Sequence, residues 1–371
     1  MLTQLSNLLH KIAFSLIKGN NPKIADQLLS HIGSEEDFFN LSEQVLATRT
    51  GINGRIISDA MRSDCLEKAK KEIDFIEQHH INCIYYKDAS YPCRLLECDD
   101  APVMLYTLGN INLNAKHIVS IVGTRNATTY GVNFINKLVE ELSERLDDIL
   151  VLSGLAIGCD IAAHKQCLKL GVPTAAVVAH GLDTIYPAEH RSHAAKIVKS
   201  NGAIISDYPH GTPPHRGNFL ARNRIVAGMA DCVIVAESAA NRGGALHTAR
   251  LGMLYNRDVF ALPGRTSDPY SAGCNMLIKT NVAHLIESAD DLIKAMNWQA
   301  RPKEGAQTTL FPQLTEEQQT IVDFITHHGE TTTNLLTAQL GIPVGKLMAL
   351  LVELEFNGVL TSLPGARYRL A

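Results

Sequence analysis

Between residues 117 and 264 the apolar positions fall in short unbroken runs. "HIVSIVG", "ILVLSG", "TAAVVAHG", "AIISDY", "CVIVAES" and "DVFALPG" follow in order, and helical patterns such as "VNFINKLVEELSERL" and "DIAAHKQCLKLG" separate several of them. A strand apolar on both faces is covered on both faces, and strands alternating with helices build a parallel sheet between helical layers. The pattern predicts an α/β, Rossmann-like core over residues 80–297. Its lead-in, residues 80–115, is mixed and extended, broken by Pro92, Pro102 and Gly109.

The flanks follow other periods. Residues 1–75 read as short helices punctuated by glycine. In "IKGNNPKIADQLLSHIGS" and "LATRTGINGRIISDAM" a glycine turn precedes a helix. Two such units resemble tandem helix-hairpin-helix elements, which can grip a nucleic-acid backbone through loop amides; a plain helical packing domain is the alternative. Residues 298–314, "WQARPKEGAQTTLFPQL", have linker composition. Residues 315–371 give three helical patterns and then "VLTSLPGARYRLA", a hairpin with Pro-Gly at its turn, which together describe a winged helix.

Composition adds exclusions. With 46% hydrophobic and 19% charged residues the chain is ordinary for a globular protein. No run approaches the roughly 18 apolar residues of a membrane span, and the N-terminus lacks signal-peptide features. Eight cysteines without a C-x-x-C pair argue against zinc and for a reduced, cytoplasmic setting. The net charge of −4 hides an uneven distribution: residues 116–280 hold 17 Lys+Arg against 13 Asp+Glu, whereas 315–371 hold three against six. A polyanion therefore suits the middle of the chain.

Glycines recur where these strands end: Gly123-Thr124-Arg125, then "SGLAIGCD" from Ser153 and Gly154, then Gly243-Gly244 opening a helix. Ligands of open parallel sheets sit beyond the carboxyl ends of strands, and helix N-termini there offer free N–H groups to phosphates. The dinucleotide and Walker patterns are absent, which weakens nucleotide-cofactor readings. The richest polar run, "DYPHGTPPHRGNFLARNRIVAG", brings Arg216, Asn218, Phe219, Arg222, Asn223 and Arg224 within nine residues after an extended first half. Arginines fork onto phosphates, asparagine reads base edges, and a loop aromatic stacks on an unpaired base. The structural alternative buries Phe219 and pairs the arginines with Asp207, Asp231 or Glu237. No catalytic or metal motif appears among the fifteen histidines. His164 suits a structural role and Asp160 a helix cap. Glu237, at a strand end, is the one carboxylate placed for acid chemistry.

Six ordered stretches, "IVGTR", "SGLAIGCDIAAH", "GLDTIYPAEH", "NFLARNRIVAG", "GGALHTA" and "FALPG…SAGCNMLI", resemble the DNA-processing protein A (DprA/Smf) family over residues 80–295. The resemblance implies a sterile-alpha-motif-like N-terminal domain, a Rossmann-like core and a winged helix. It also implies a non-enzymatic single-stranded DNA binder that protects incoming DNA in natural transformation, loads a RecA-type recombinase and dimerises through the core, without a cofactor. Arg125 would hold a phosphate, and Arg216 and Phe219, with Arg222 and Asn223 beside them, would meet the strand. Leu220 stands where the family often has proline, and His190, beside Arg191, where it has asparagine. The acidic winged helix suits protein contact better than DNA. Two other readings compete: a Rossmann-like nucleotide phosphoribohydrolase, whose P-G-G-x-G-T-x-x-E pattern is missing, and a winged-helix regulator of duplex DNA.

Overall fold

A computed structural model describes residues 2–52, 57–240, 243–301 and 314–370. Two compact units divide it, residues 1–301 and 302–371. Most of the expected linker, and Gly54 of the second glycine turn, lie outside the described residues.

The first unit opens with five helices: α1 (Leu2–Ser15), α2 (Pro22–Ile32), α3 (Glu35–Asn40), α4 (Glu43–Thr50) and α5 (Asp59–His79). Asn21, Ser34, Ser42 and Ser58 cap α2 to α5 by accepting a backbone N–H, so each start is written in the sequence. Phe14, Phe38 and Phe39 pack edge to face between α1 and α3. Arg62 is buried from α5 against the end of α3, where its guanidinium donates to the carbonyls of Phe38 and Leu41 at 2.7 and 2.6 Å.

β1 (Asn82–Tyr85), α6 (Cys93–Leu96) and β2 (Met104–Gly109) form the lead-in. The alternation follows: β3 (His117–Val122), α7 (Thr129–Arg145), β4 (Ile149–Ser153), α8 (Cys159–Leu170), β5 (Thr174–Val177), α9 (Arg191–Lys199), β6 (Ala203–Ser206), α10 (Arg216–Gly228), β7 (Cys232–Val235), α11 (Gly244–Leu254), β8 (Asp258–Ala261), α12 (Ala272–Lys279), β9 (His284–Leu285) and α13 (Ala289–Ala295). All six strands expected from the apolar runs are present, and β3 to β7 are buried throughout. Among the described residues the sheet runs β1-β2-β6-β5-β4-β3-β7-β8-β9, parallel from β6 to β9, with β1 and β2 antiparallel at one edge. After β3 the chain steps outward through β4, β5 and β6, then returns to β7 on the other side of β3. That reversal opens a crevice between the carboxyl ends of β3 and β7.

The second unit holds α14 (Glu316–His328), β10 (Thr331–Thr332), α15 (Thr333–Leu340), α16 (Val344–Phe356), β11 (Leu360–Leu363) and β12 (Arg367–Leu370), with β12 between β10 and β11. This is a winged helix around Ile321, Leu336, Leu347, Leu351 and Leu354.

His164 on α8 is fully buried. Its Nδ1 lies 2.8 Å from Thr174 Oγ1, whose own proton goes to the Val151 carbonyl. Nδ1 therefore donates, and Nε2 is left without a partner. Burial, aided by repulsion from His190 and Arg222, pushes its pKa down to about 3. An unfolded histidine titrates near 6.5, so the unfolded chain takes the proton first. The stability contribution is complete above pH ~6.5 and is lost as pH falls towards 3. We expect His164→Gln to flatten the drop in melting temperature between about pH 7 and about pH 5; slopes parallel to wild type would count against this assignment.

Candidate functional site

The crevice at the sheet's reversal is a groove of 760 Å³. Gly123, Thr124 and Arg125 enter it from the end of β3, and Gly154 and Ala156 from the turn after β4. Arg216, Phe219 and Leu220 come from α10, and Gly243 and Gly244 from the start of α11. Three chain turns far apart in sequence thus share one wall.

Close backbone approach explains the glycines. Thr124 N–H donates to the Glu237 carbonyl at 2.8 Å, and Cys159 N–H to the Thr124 carbonyl at 3.2 Å. A Cβ on Gly123 would overlap the Cys159 side chain, and one on Gly158 (φ +84°) would overlap the Thr124 carbonyl. These contacts pull the amino end of α8 against the β3 turn, leaving its partial positive charge beside the groove.

Arg125 is exposed, and its guanidinium stands 6.0 Å from the centroid of the Phe219 ring. Tyr186, 45% exposed, lies 5.5 Å from the same ring at a tilt of 52°. Arg216 is exposed at the first turn of α10 and forms no ion pair among the described residues. Among the described residues the lining holds three arginines against one carboxylate, Asp160. Two cations without an ion pair among the described residues, beside a pair of aromatic rings, suit phosphates and flat bases.

Several expected roles need correction. Phe219, expected as a loop aromatic, lies in the first turn of α10, whose helix carries Arg216 to Arg224. Ser153 is fully buried and donates to the Ile121 carbonyl at 2.6 Å, which turns it away from the groove. Arg222 is 4% exposed; it donates to the Val177 carbonyl and faces Asp160 beneath the floor, so it braces rather than clamps. Asp160 caps no helix: its carboxylate accepts the N–H groups of Gly154 and Ala156 at 3.1 and 3.4 Å. Burial pushes that carboxyl's pKa up, and Arg222 opposes the shift. Asn223 is buried and donates to the Gly244 carbonyl at 3.3 Å, tying α10 to α11. Asn218 is outside the lining and reaches the Pro213 carbonyl at 3.5 Å.

Other residues take the structural alternative. Arg224 pairs with Asp207 at 2.6 Å. His190 is buried with Nδ1 2.8 Å from the Leu155 carbonyl, holding the β4 turn in place, and Arg191 is exposed outside the lining. Glu237 is 1% exposed and accepts both the N–H and the hydroxyl of Thr128, at 2.7 and 2.6 Å. Sequence reasoning missed Tyr186, Pro214, Ser238 and Thr248 in the lining. Tyr186 had a faint signal, an aromatic beside proline in a polar segment. Ser238 and Thr248 had none. No group of three or more metal-ligating side chains occurs among the described residues.

Fold and groove together define a Rossmann-like protein with a phosphate-suited crevice at its switch point, followed by a winged helix. Residues 82–297 match the DNA recombination-mediator protein A family, and residues 305–366 match the DprA winged helix domain. The chain belongs to the DNA recombination-mediator protein A family. Protein Smf of Synechocystis sp. is 30% identical over 96% of this chain and 97% of its own length. DNA processing protein DprA of Streptococcus pneumoniae is 38% identical over 56% of this chain and 71% of its own. The X-ray structure of the S. pneumoniae protein superposes with a TM-score of 0.63 at 30% identity, covering 77% of this chain and 96% of that one. A structure of DNA processing protein A from Helicobacter pylori, which describes that protein's single-stranded DNA binding mode, superposes with a TM-score of 0.52 at 30% identity, covering 58% and 95%.

Because both Glu237 oxygens accept protons from Thr128, Glu237→Gln presents an amide donor to a donor. We expect the substitution to lower the unfolding free energy in urea by about 1–3 kcal/mol. An unchanged midpoint would show that the carboxylate is free for another purpose.

Proposed function

We propose that this protein binds single-stranded DNA in the β3–β7 groove and acts as a recombination mediator without catalysis of its own. The observation that carries the reading is Arg125 standing over Phe219 at the mouth of a groove ringed by three glycine turns. Phosphates run along the Gly123–Arg125 loop and the first turn of α10, held by Arg125 and Arg216. Phe219, with Tyr186 beside it, stacks on a base. Gly154, Gly243 and Gly244 let the backbone approach, while Arg222 and Asn223 keep the floor in shape. Single-strand binding by the H. pylori relative, and the family itself, support this reading.

In this role the protein works in the cytoplasm. It protects incoming DNA during natural transformation, loads a RecA-type recombinase onto it, and dimerises through the Rossmann-like core. The winged helix meets a protein rather than duplex DNA. Two of its three cations are engaged, Lys346 with Glu317 at 2.5 Å and Arg367 with Glu330 at 2.7 Å, which leaves little positive charge for a phosphate backbone.

Binding of oligo-dT should weaken with salt by about 0.7 log unit in affinity per log unit of salt for each phosphate neutralised. Arg125→Ala should weaken binding and reduce that slope by about one phosphate's share, and Phe219→Ala should cost about 1–3 kcal/mol with the slope retained. Equal affinity for wild type and Arg125→Ala, or a flat salt response, would overturn the proposal.

A further inference from the structure

A second cavity, of 960 Å³, lies between the end of α1, the α5 helix and residues 209–212. Leu16, Ile17 and Met61 give it an apolar wall, and Lys18, Lys68 and Lys71 give it cations. Its two carboxylates are already matched. Asp64 pairs with Lys68 at 2.6 Å. Glu72, 2% exposed, accepts the backbone N–H of His210 at 2.9 Å and meets its Nδ1 at 2.6 Å, while Phe75 stacks on the same imidazole at 4.9 Å. Lys18 and Lys71 remain exposed and form no ion pair among the described residues. An apolar wall beside two uncompensated ammonium groups suits a base and its neighbouring phosphates.

The occupant follows from continuity. Pro209 to Thr212 wall this cavity, and Pro214 and Arg216 wall the groove, so one short stretch of chain borders both. The Glu72–His210 contacts anchor that stretch to α5.

We propose that the DNA strand held in the groove continues over residues 209–216 into the α1–α5 cavity, where Lys18 and Lys71 take its phosphates. This rests on the single-strand reading above and makes the N-terminal helices part of the binding surface. A long strand then contacts both sites, and a short one fills the groove alone.

The test uses the full chain with oligo-dT of about 6 and about 20 nucleotides, chosen against the ~4–16 nucleotide footprints of single-strand binding folds. For the double variant Lys18→Gln/Lys71→Gln, the salt slope for the long strand should fall by about 1.4, two phosphates at ~0.7 each, with the short-strand slope unchanged. Melting temperature checks the fold, which neither exposed lysine supports. An unchanged long-strand slope, or an equal loss at both lengths, overturns the extension. Arg125→Ala separates the two claims, because it should weaken both lengths. If it does and the lysine variant is silent, only the extension fails. If it weakens neither length, the groove reading fails as well.

Discussion

The groove depends on two opposite charges buried beneath it. Asp160 gathers the amides of the β4 turn, and Arg222 reaches from α10 to the end of β5, so the pair joins three elements under one floor. A Cβ on Gly154 would overlap the Arg222 guanidinium and sit 2.7 Å from Asp160 Oδ2, so a larger residue there would displace both side chains. Each of these desolvated groups is held by backbone: Asp160 by the N–H groups of Gly154 and Ala156, and Arg222 by the Val177 carbonyl. The floor is therefore tied to the backbone of the β4 turn and of β5.

What stands above it is ordered by the helix. Arg216, Phe219, Leu220 and Asn223 fall at i, i+3, i+4 and i+7, and all four line the groove. Of the cations crowded into those nine residues, Arg216 alone shares this face with Phe219, while Arg222 turns inward and Arg224 pairs with Asp207. With Arg222 drawn inward, Arg216 and Phe219 are held at the end that faces solvent, opposite Arg125.

The sheet was legible because strands covered on both faces have only one sequence solution, an unbroken apolar run. β9 and β10 were not, since two residues carry no period and His284 and Leu285 are exposed. The glycine turns were legible as close approaches, and Gly123, Thr124, Arg125, Gly154, Gly243 and Gly244, named from them, all line the groove. The misreadings share one cause. Ser153, Arg222 and Asp160 are polar residues whose partners lie elsewhere in the chain, at Ile121, at Val177 and at the β4 turn, so no local pattern reveals that they face inward. Phe219 was read as a loop aromatic because the buried face of α10 carries Arg222 and Asn223 where an amphipathic helix would carry aliphatics.

β2, between β1 and β6, pairs with nothing nearer in the chain than β6 apart from β1, with Gly109 opposite Ala203. As the chain leaves the ribosome, the N-terminal helices and the β1–β2 ribbon can form early, yet one side of β2 stays open until β6 emerges. By then β3, β4 and β5 have also been made, and the β6 edge exists only once β5 has paired with it. The order of synthesis therefore leaves the first hundred residues waiting on the second hundred, exposing an unpaired edge of the kind that seeds wrong associations. The fold is thus assembled by late closure of its oldest segment.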